Sequence, residues 1–343
     1  MFTDKNKIIV IPFLLLAGAV IGFFMRGFFD KMFDAAIRPP QFIFEISQTK
    51  EVRAGGYEFI NPLLECVNFN PIRGGALITL EGELKAYIEQ ALKNNKAQHV
   101  SVYFRDLNNG PWVGIDEDEK YSPASLLKVP VAIAAMKRAE VDPYFLQKTV
   151  EFQNALSTDA LPDKNDTVYI NKGKLYKIAE LVEYMVAGSD NEAMMLVLKN
   201  TGEGLTGKVM ADLGIKKSDS DDKNDFVSVR EYSSMFRLLF NATYLSKEKS
   251  NQLLGMMSKS KYTDGLVAGV PASVKVAHKF GERAFDNTTT RQLHDCGIVY
   301  LPQSPYLLCV MTRGDDFNEL KTIVSDISAI VYTKVSEVSP PQN

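Results

Sequence analysis

Near the end of the chain three strand-like runs, ASVKVAHKFG, LHDCGIVYLP and YLLCVMTRG, follow one another with little between them. After them Phe317, Leu320, Ile323, Val324, Ile327, Ile330 and Val331 fall on one helical face. A second strand-rich piece lies far upstream, where HVSVYFRDL alternates like a strand and GPWVGI reads as its hairpin partner. Just before it, Leu77, Leu80, Leu84, Tyr87, Ile88 and Leu92 form the stripe of another amphipathic helix. Between the two strand-rich ends the periodicity is mostly helical, with Ile178, Leu181, Val182 and Met185 marking one helix. Two such ends can share a core only if they build one sheet, with the helical middle inserted into it. The expected fold class is therefore α/β in the α+β sense: αβα layers around a mainly antiparallel sheet, spanning about 76–336, with an all-helical insert at about 122–262.

Ahead of this domain, Ile8–Met25 is a run of 18 residues without a charge, flanked by Lys5 and Lys7 on one side and Arg26 on the other. That length just spans a hydrocarbon core. No small-residue cleavage site follows, so the run reads as an uncleaved transmembrane helix within an anchor at 1–29. The flanking charges balance and leave the orientation open. From about 30 to 75, Pro39-Pro40, Gly55-Gly56 and Pro71 interrupt short apolar pieces, which suggests a partly ordered linker.

Composition removes several function classes. The 39 basic and 42 acidic residues leave a net charge of -3, and no basic stripe is interleaved with aromatics, so nucleic acid is not an expected partner. Cys66, Cys296 and Cys309 make no CxxC pair and no disulfide framework. With only His99, His278 and His294 besides, a zinc hydrolase is poorly supported, and no metal or cofactor is expected.

The chemistry is concentrated in three short motifs. In SPASLLK, Ser125 and Lys128 stand three residues apart at the start of an apolar helix, so both side chains can reach one spot. A serine hydroxyl becomes a nucleophile when a base lies within hydrogen-bond reach, and lysine can be that base when burial or a neighbouring cation disfavours its charge. The helix N-terminus adds N–H groups where an oxyanion could form. Ser-x-x-Lys alone is weak, because it occurs five times in the chain, starting at Ser47, Ser125, Ser220, Ser246 and Ser258. Context singles out Ser125, and two further pieces support it. VAGSDNEA puts Ser189, Asp190 and Asn191 between two predicted helices, and VAHKFGE puts Lys279 on a predicted strand.

With these three motifs in this order, the chain resembles the serine β-lactamase and penicillin-binding-protein superfamily, most closely class A β-lactamases, over roughly His99 to Val331. The resemblance implies a β-lactamase/transpeptidase-like fold with the site between sheet and helical insert. It makes Ser125 the acylated nucleophile, Lys128 its general base and Ser189 a proton shuttle to the leaving nitrogen. Asn191 would donate to the substrate amide, and Asp190 would hold its turn. Lys279 would supply positive potential, while the N–H groups of Ser125 and Glu282, beside Gly281, would form the oxyanion hole.

Two departures qualify the inheritance. Phe280 stands where the family carries a hydroxyl that binds the β-lactam carboxylate. The segment GIKKSDSDDKNDFV, where the family has its deacylating glutamate, holds only Asp219, Asp221, Asp222 and Asp225. His278 and His294 are expected nearly opposite each other on a hairpin beside Lys279, either orienting a substrate carboxylate or hydrogen-bonded across the strands. Cys296 and Cys309 are expected to be reduced core thiols. The expected protein is a single-pass, membrane-anchored serine hydrolase or acyltransferase with its domain outside a bacterial cytoplasmic membrane. Its substrate would be a small molecule or a peptidoglycan-derived amide or ester, and classical β-lactams would turn over poorly. A covalent sensor of β-lactams or cell-wall fragments, a genuine class A enzyme and a catalytically dead scaffold are the alternatives.

Overall fold

The computed structural model describes residues 48–338 except 54, 70–73, 109, 155–169, 203, 216–224 and 287. The Ile8–Met25 run lies outside the described residues, as do 30–47 of the segment read as a linker. Among the described residues no helix is long and apolar enough to cross a membrane. The later part of the linker segment holds strands β1 (Gln48–Arg53) and β2 (Leu63–Phe69), paired antiparallel. Arg53 fastens this ribbon to the domain, donating to the Asn61 carbonyl at 2.6 Å and to Asn241 Oδ1 at 2.7 Å.

Helix α1 (Gly74–Lys93) leads into β3 (His99–Asp106) and β4 (Trp112–Ile115), and β7 (Val276–Ala284), β8 (Arg291–Val299), β9 (Tyr306–Gly314) and helix α8 (Phe317–Val338) close the chain. The sheet order is β4-β3-β9-β8-β7, antiparallel throughout, with β3 beside β9 from His99↔Arg313 to Asp106↔Tyr306. The two chain ends thus share one sheet. Strands β3, β7, β8 and β9 are buried on both faces over most of their length, so their side chains alternate between two cores rather than between core and water. Val100, Val102, Phe104, Val276, Leu293, Val299, Leu308 and Val310 pack with Leu80, Leu84, Leu320, Ile323, Val324 and Ile327 of α1 and α8. Tyr103, Ala277, Cys296, Ile298, Leu307 and Met311 pack with the inserted helices.

The insert carries α2 (Lys128–Val141), α3 (Ile178–Ala187), α4 (Asn191–Thr201), α5 (Leu205–Asp212), α6 (Val229–Phe240) and α7 (Lys247–Met257). It is not purely helical, because β5 (Thr149–Glu151) and β6 (Leu175–Lys177) pair as a short ribbon. The Ala132–Met136 stretch of α2 is buried on every side, which is why it reads as apolar throughout rather than as a stripe. Helix α6 begins in a capping box in which the Ser228 hydroxyl accepts from Glu231 N and Glu231 accepts from Ser228 N. The expectation of reduced thiols is corrected: Cys296 and Cys309 lie directly opposite each other on β8 and β9 and form a disulfide. Thirteen residues separate them in sequence, but a hairpin register brings their side chains to the same face.

Candidate active site

Ser125 sits not in the helix but in the 3₁₀ turn Ala124–Leu127 that precedes it, and Lys128 is the first residue of α2. In a 3₁₀ turn, residues three apart eclipse one another, so the correction strengthens the pairing. Lys128 Nζ lies 2.7 Å from Ser125 Oγ. Ala124 opens the turn at φ 46, a left-handed conformation costly for a residue with a Cβ, and the surroundings hold it there. Three side chains from β7 and β8 clamp Ser122, two residues before Ala124. Gln292 Oε1 accepts from Ser122 N at 2.9 Å, Arg283 donates to Ser122 Oγ at 2.7 Å, and His294 Nε2 donates to the Ser122 carbonyl at 2.9 Å. On the other side, the Tyr232 hydroxyl donates to the Leu126 carbonyl at 2.9 Å.

The second motif is a helix-to-helix corner. Helix α3 ends at Ala187, Ser189 takes φ 57, and Asp190 caps α4 by accepting from Ala193 N at 2.8 Å. Asp190 also accepts from Ile170 N at 2.9 Å and is 1% exposed, so both oxygens are committed to backbone. With the corner fixed, Asn191 Oδ1 accepts from Lys128 Nζ at 2.7 Å, and Ser189 Oγ lies 3.4 Å from the same nitrogen. The buried Lys128 amine therefore faces the oxygens of Ser125, Asn191 and Ser189.

The third motif brings the second amine. Lys279 is fully buried, and its Nζ donates to Ser189 Oγ at 3.1 Å and to the Phe280 carbonyl at 2.7 Å. Ser189 thus receives both lysines on its oxygen, which leaves its own hydrogen available to donate. Strand β7 is the sheet edge nearest the Ser125 turn, and a Cβ on Gly281 would stand 3.1 Å from the Pro123 carbonyl and 3.3 Å from Leu126 N. The N–H and C=O of one strand residue point to the same side, and so do those two residues on. A Phe280 carbonyl facing Lys279 therefore puts the Glu282 N–H on the open edge too.

The side chains of that motif divide. Lys279 and Gly281 face the insert, whereas His278, Phe280 and Glu282 alternate to the α1/α8 face. Phe280 is 4% exposed and stacks on Tyr262, with ring centroids 3.9 Å apart and planes 11° apart. Glu282 approaches Lys321 of α8 at 3.7 Å. The two histidines are not opposite each other: His278 pairs with Gly297 and His294 with Gly281, which places them on opposite faces. His278 is held by Asp295, with Nδ1 2.8 and 3.0 Å from its two oxygens. His294 is fully buried, and burial, reinforced by Arg313, pushes its pKa down to about 3, so it is a neutral clamp on Ser122.

Asp225 is also not free. Its Oδ2 accepts from Gln292 and from Arg313, both at 2.9 Å, while Asp219, Asp221 and Asp222 lie outside the described residues. Tyr262 and Asp295 were missed in the sequence. Asp295 had a visible signal, a carboxylate inside the apolar run LHDCGIVYL; Tyr262 had none, since it reaches Phe280 from a loop 18 residues away.

Residues 83–335 match the β-lactamase enzyme family, which covers the sheet, the insert and all three motifs. The chain belongs to that family. β-Lactamase VEB-1 of Pseudomonas aeruginosa is 23% identical over 71% of this chain and 88% of its own length. Among solved structures, a class A β-lactamase from Bacteroides cellulosilyticus superposes with a TM-score of 0.64 at 19% identity, covering 75% of this chain and 99% of the other. A point variant of PBP-A, captured as its acyl-enzyme complex with penicillin G, gives 0.63 at 20% identity, covering 76% and 98%. At these identities the superpositions establish a shared fold, and the protein is a β-lactamase-like member of a serine hydrolase family.

Proposed function

We propose that the protein is a serine acyl hydrolase or acyltransferase that forms an ester on Ser125, acts on a cell-wall-related amide or ester, and turns over classical β-lactams poorly. The observation that carries this reading is the single cluster in which Ser125, Lys128, Ser189, Asn191 and Lys279 are linked by contacts of 2.7 to 3.4 Å. Lys128 in its neutral form takes the Ser125 hydroxyl proton as Oγ attacks the carbonyl carbon, and the nearby Lys279 ammonium favours that neutral form. The carbonyl oxygen, now negative, is received by the N–H groups of Ser125 and Glu282. When the bond to the leaving group breaks, Ser189 donates its proton to the departing atom and is reprotonated from Lys128, leaving the acyl-ester and a neutral lysine. Lys279 holds Ser189 in line throughout.

Poor β-lactam turnover is the finer part of the proposal. Phe280 offers no hydroxyl, presenting instead a ring whose centroid lies 4.0 Å from the Lys279 amine, while Asp225 Oδ2 is engaged by two donors. A deacylating base contributes about 10²- to 10⁴-fold, so its loss makes an adduct long-lived. The same observations favour a second reading, a sensor that captures a β-lactam or cell-wall fragment covalently. We further propose that Ile8–Met25 anchors the domain to the outer face of a cytoplasmic membrane; its 18 uncharged residues support this. Intact-protein mass spectrometry over time with penicillin G and with a simple ester tests the whole reading. Slow formation of a persistent Ser125 adduct with the former and turnover of the latter are expected. Rapid multiple turnover of penicillin G would show a deacylating base at work, and absence of any adduct would remove the acyl-enzyme.

A further inference from the structure

The Lys279 amine is fully buried, and what buries it is in part the residue that follows it. Its Nζ donates to Ser189 Oγ at 3.1 Å and to the Phe280 carbonyl at 2.7 Å, and the Phe280 ring lies beside it with its centroid 4.0 Å away. A ring face at that distance attracts the ammonium through its quadrupole and keeps water from it. Neighbouring residues of a strand start on opposite faces, so these two side chains meet round the open edge of β7. Tyr262 holds the ring in place. The two buried rings stack with centroids 3.9 Å apart and planes 11° apart, and the Lys321 amine lies 5.9 Å from the Tyr262 ring.

The neighbouring cations are engaged as well. Lys321 pairs with Asp264 at 3.2 Å and approaches Glu282 at 3.7 Å, and Arg283 donates to Ser122 Oγ while lying 4.7 Å from the Phe285 ring. On β8 the residue opposite Phe280 is the buried carboxylate Asp295, and the one opposite Glu282 is Leu293. This end of the cleft therefore presents the Ser189 hydroxyl with aromatic carbon beside it, in place of an open positive charge. An anion brought there would lose its water without reaching the Lys279 amine, a penalty that a neutral group does not incur. We infer that Phe280, held by Tyr262, is a specificity-determining residue: it reserves the Lys279 charge for Ser189 and selects substrates whose departing portion is neutral beside the scissile bond, such as an internal or amide-capped residue, over those that leave as a free carboxylate. This rests on the acyl-transfer reading of the same site and reverses the preference that the family resemblance implies for it.

Two matched N-acyl depsipeptide esters test it, one departing as a hydroxy acid with a free carboxylate and one as the corresponding carboxamide. Acylation of Ser125 is timed by intact mass in the whole protein, in Phe280→Thr and in Tyr262→Ala. The readout is the ratio of the two rates within each sample, which does not depend on the folded fraction. The parent protein should acylate severalfold faster with the carboxamide ester. Phe280→Thr uncovers the Lys279 amine and adds a hydroxyl donor, so it should move the ratio toward the carboxylate ester by about tenfold or more, the scale of one charge-assisted hydrogen bond. That gained preference should shrink as salt is raised. Tyr262→Ala, which leaves the ring unsupported, should move the ratio the same way by less. A parent preference for the carboxylate ester, or a ratio that Phe280→Thr does not move, overturns the inference while leaving the acyl-enzyme standing. Should Phe280→Thr fail to fold, the parent ratio still decides, because a preference for the carboxylate ester that fades with salt would mean that the Lys279 charge is open to substrate. Failure of both esters to acylate the parent protein overturns the acyl-transfer reading and this inference with it.

Discussion

Within strand β7, Lys279 and Gly281 face the inserted helices, and His278, Phe280 and Glu282 face α1 and α8. The first set meets polar groups with open chemistry: the Lys279 amine reaches Ser189, and Gly281 lets the strand approach the Ser125 turn. The second set is held by its own partners, although the Phe280 ring also lies 4.0 Å from the Lys279 amine. Asp295 accepts from Leu266 N at 2.9 Å and binds His278, Tyr262 stacks on Phe280, and a Cβ on Gly265 would collide with the Asp295 carboxylate at 2.2 Å. The period of two therefore divides one motif into a reacting face and a supporting face.

The largest expected difference between the faces is in rate. Lys128→Ala removes the base that contacts Ser125, and the acylation rate should fall by about 10²- to 10⁴-fold while the thermal midpoint changes little in comparison. Acylation of this variant at the parent rate would remove the lysine from the mechanism. On the far face the corresponding deletion acts on stability. Asp295→Ala leaves buried His278 and the Leu266 N–H without their acceptor, and should cost about 3–5 kcal/mol in chemical denaturation. Acylation per folded molecule should stay near normal, counted by titrating active sites. A rate loss without a stability loss would mean that the far face reaches the chemistry.

Acid sharpens the contrast, because His294 belongs to the reacting face but serves it as a clamp. Its folded pKa of about 3 lies below the usual 6.5, so the unfolded chain takes up the proton first. The stability from keeping it neutral is complete above pH 6.5, erodes as pH falls, and is gone near pH 3. Over that window the slope contributed by this one group approaches about 1.4 kcal/mol per pH unit. His294→Gln can keep a donor for the Ser122 carbonyl but does not titrate. The stability gap between parent and variant should therefore shrink steadily from pH 7 to pH 4; a gap constant with pH would mean that His294 is not buried neutral.

The parts legible in the sequence were those carried by local period. The stripe from Leu77 to Leu92, the three closing strands and the face from Phe317 to Val331 all appear as elements, since one-sided or continuous burial imprints itself on neighbouring residues. The Ser125–Lys128 pair was visible for the same reason, as three residues fix a shared direction whether the turn is 3₁₀ or α. Register was not legible. A hairpin between two apolar strands shows no sign of which residues oppose one another, so His278 and His294 were expected together and Cys296 and Cys309 were expected as reduced thiols; the register overturned both expectations. Tyr262 was invisible, because its partner is chosen by a loop path with no pattern of its own. The Ser122 clamp was hidden likewise, assembled from Arg283, Gln292 and His294 only after β7 and β8 are side by side.

The smallest expected effect, and the finest separation of the two faces, comes from adding a methyl group to each. Gly281 and Gly297 lie on adjacent strands, the first on the reacting face and the second on the supporting one. A Cβ on Gly297 would stand 2.5 Å from both the Ala277 carbonyl and the His278 Cβ, closer than any adjustment of a rotamer can relieve. Gly297→Ala should therefore act as overpacking, costing about 1–3 kcal/mol of stability, with little change in acylation per folded molecule. At Gly281 the nearest atoms are the Pro123 carbonyl at 3.1 Å and Leu126 at 3.2 and 3.3 Å, so the turn need yield by only a few tenths of an ångström. Stability should change by less than about 1 kcal/mol. That small displacement nonetheless carries Ser125 away from the Glu282 N–H and from Lys128, and catalytic alignment is sensitive at this scale. Gly281→Ala should slow acylation severalfold at nearly constant stability. Measuring denaturation midpoints and single-turnover acylation on both variants decides the matter, because the reverse assignment, a rate effect at Gly297 and a stability effect at Gly281, would mean that the division between reacting and supporting faces does not follow the alternation of the strands.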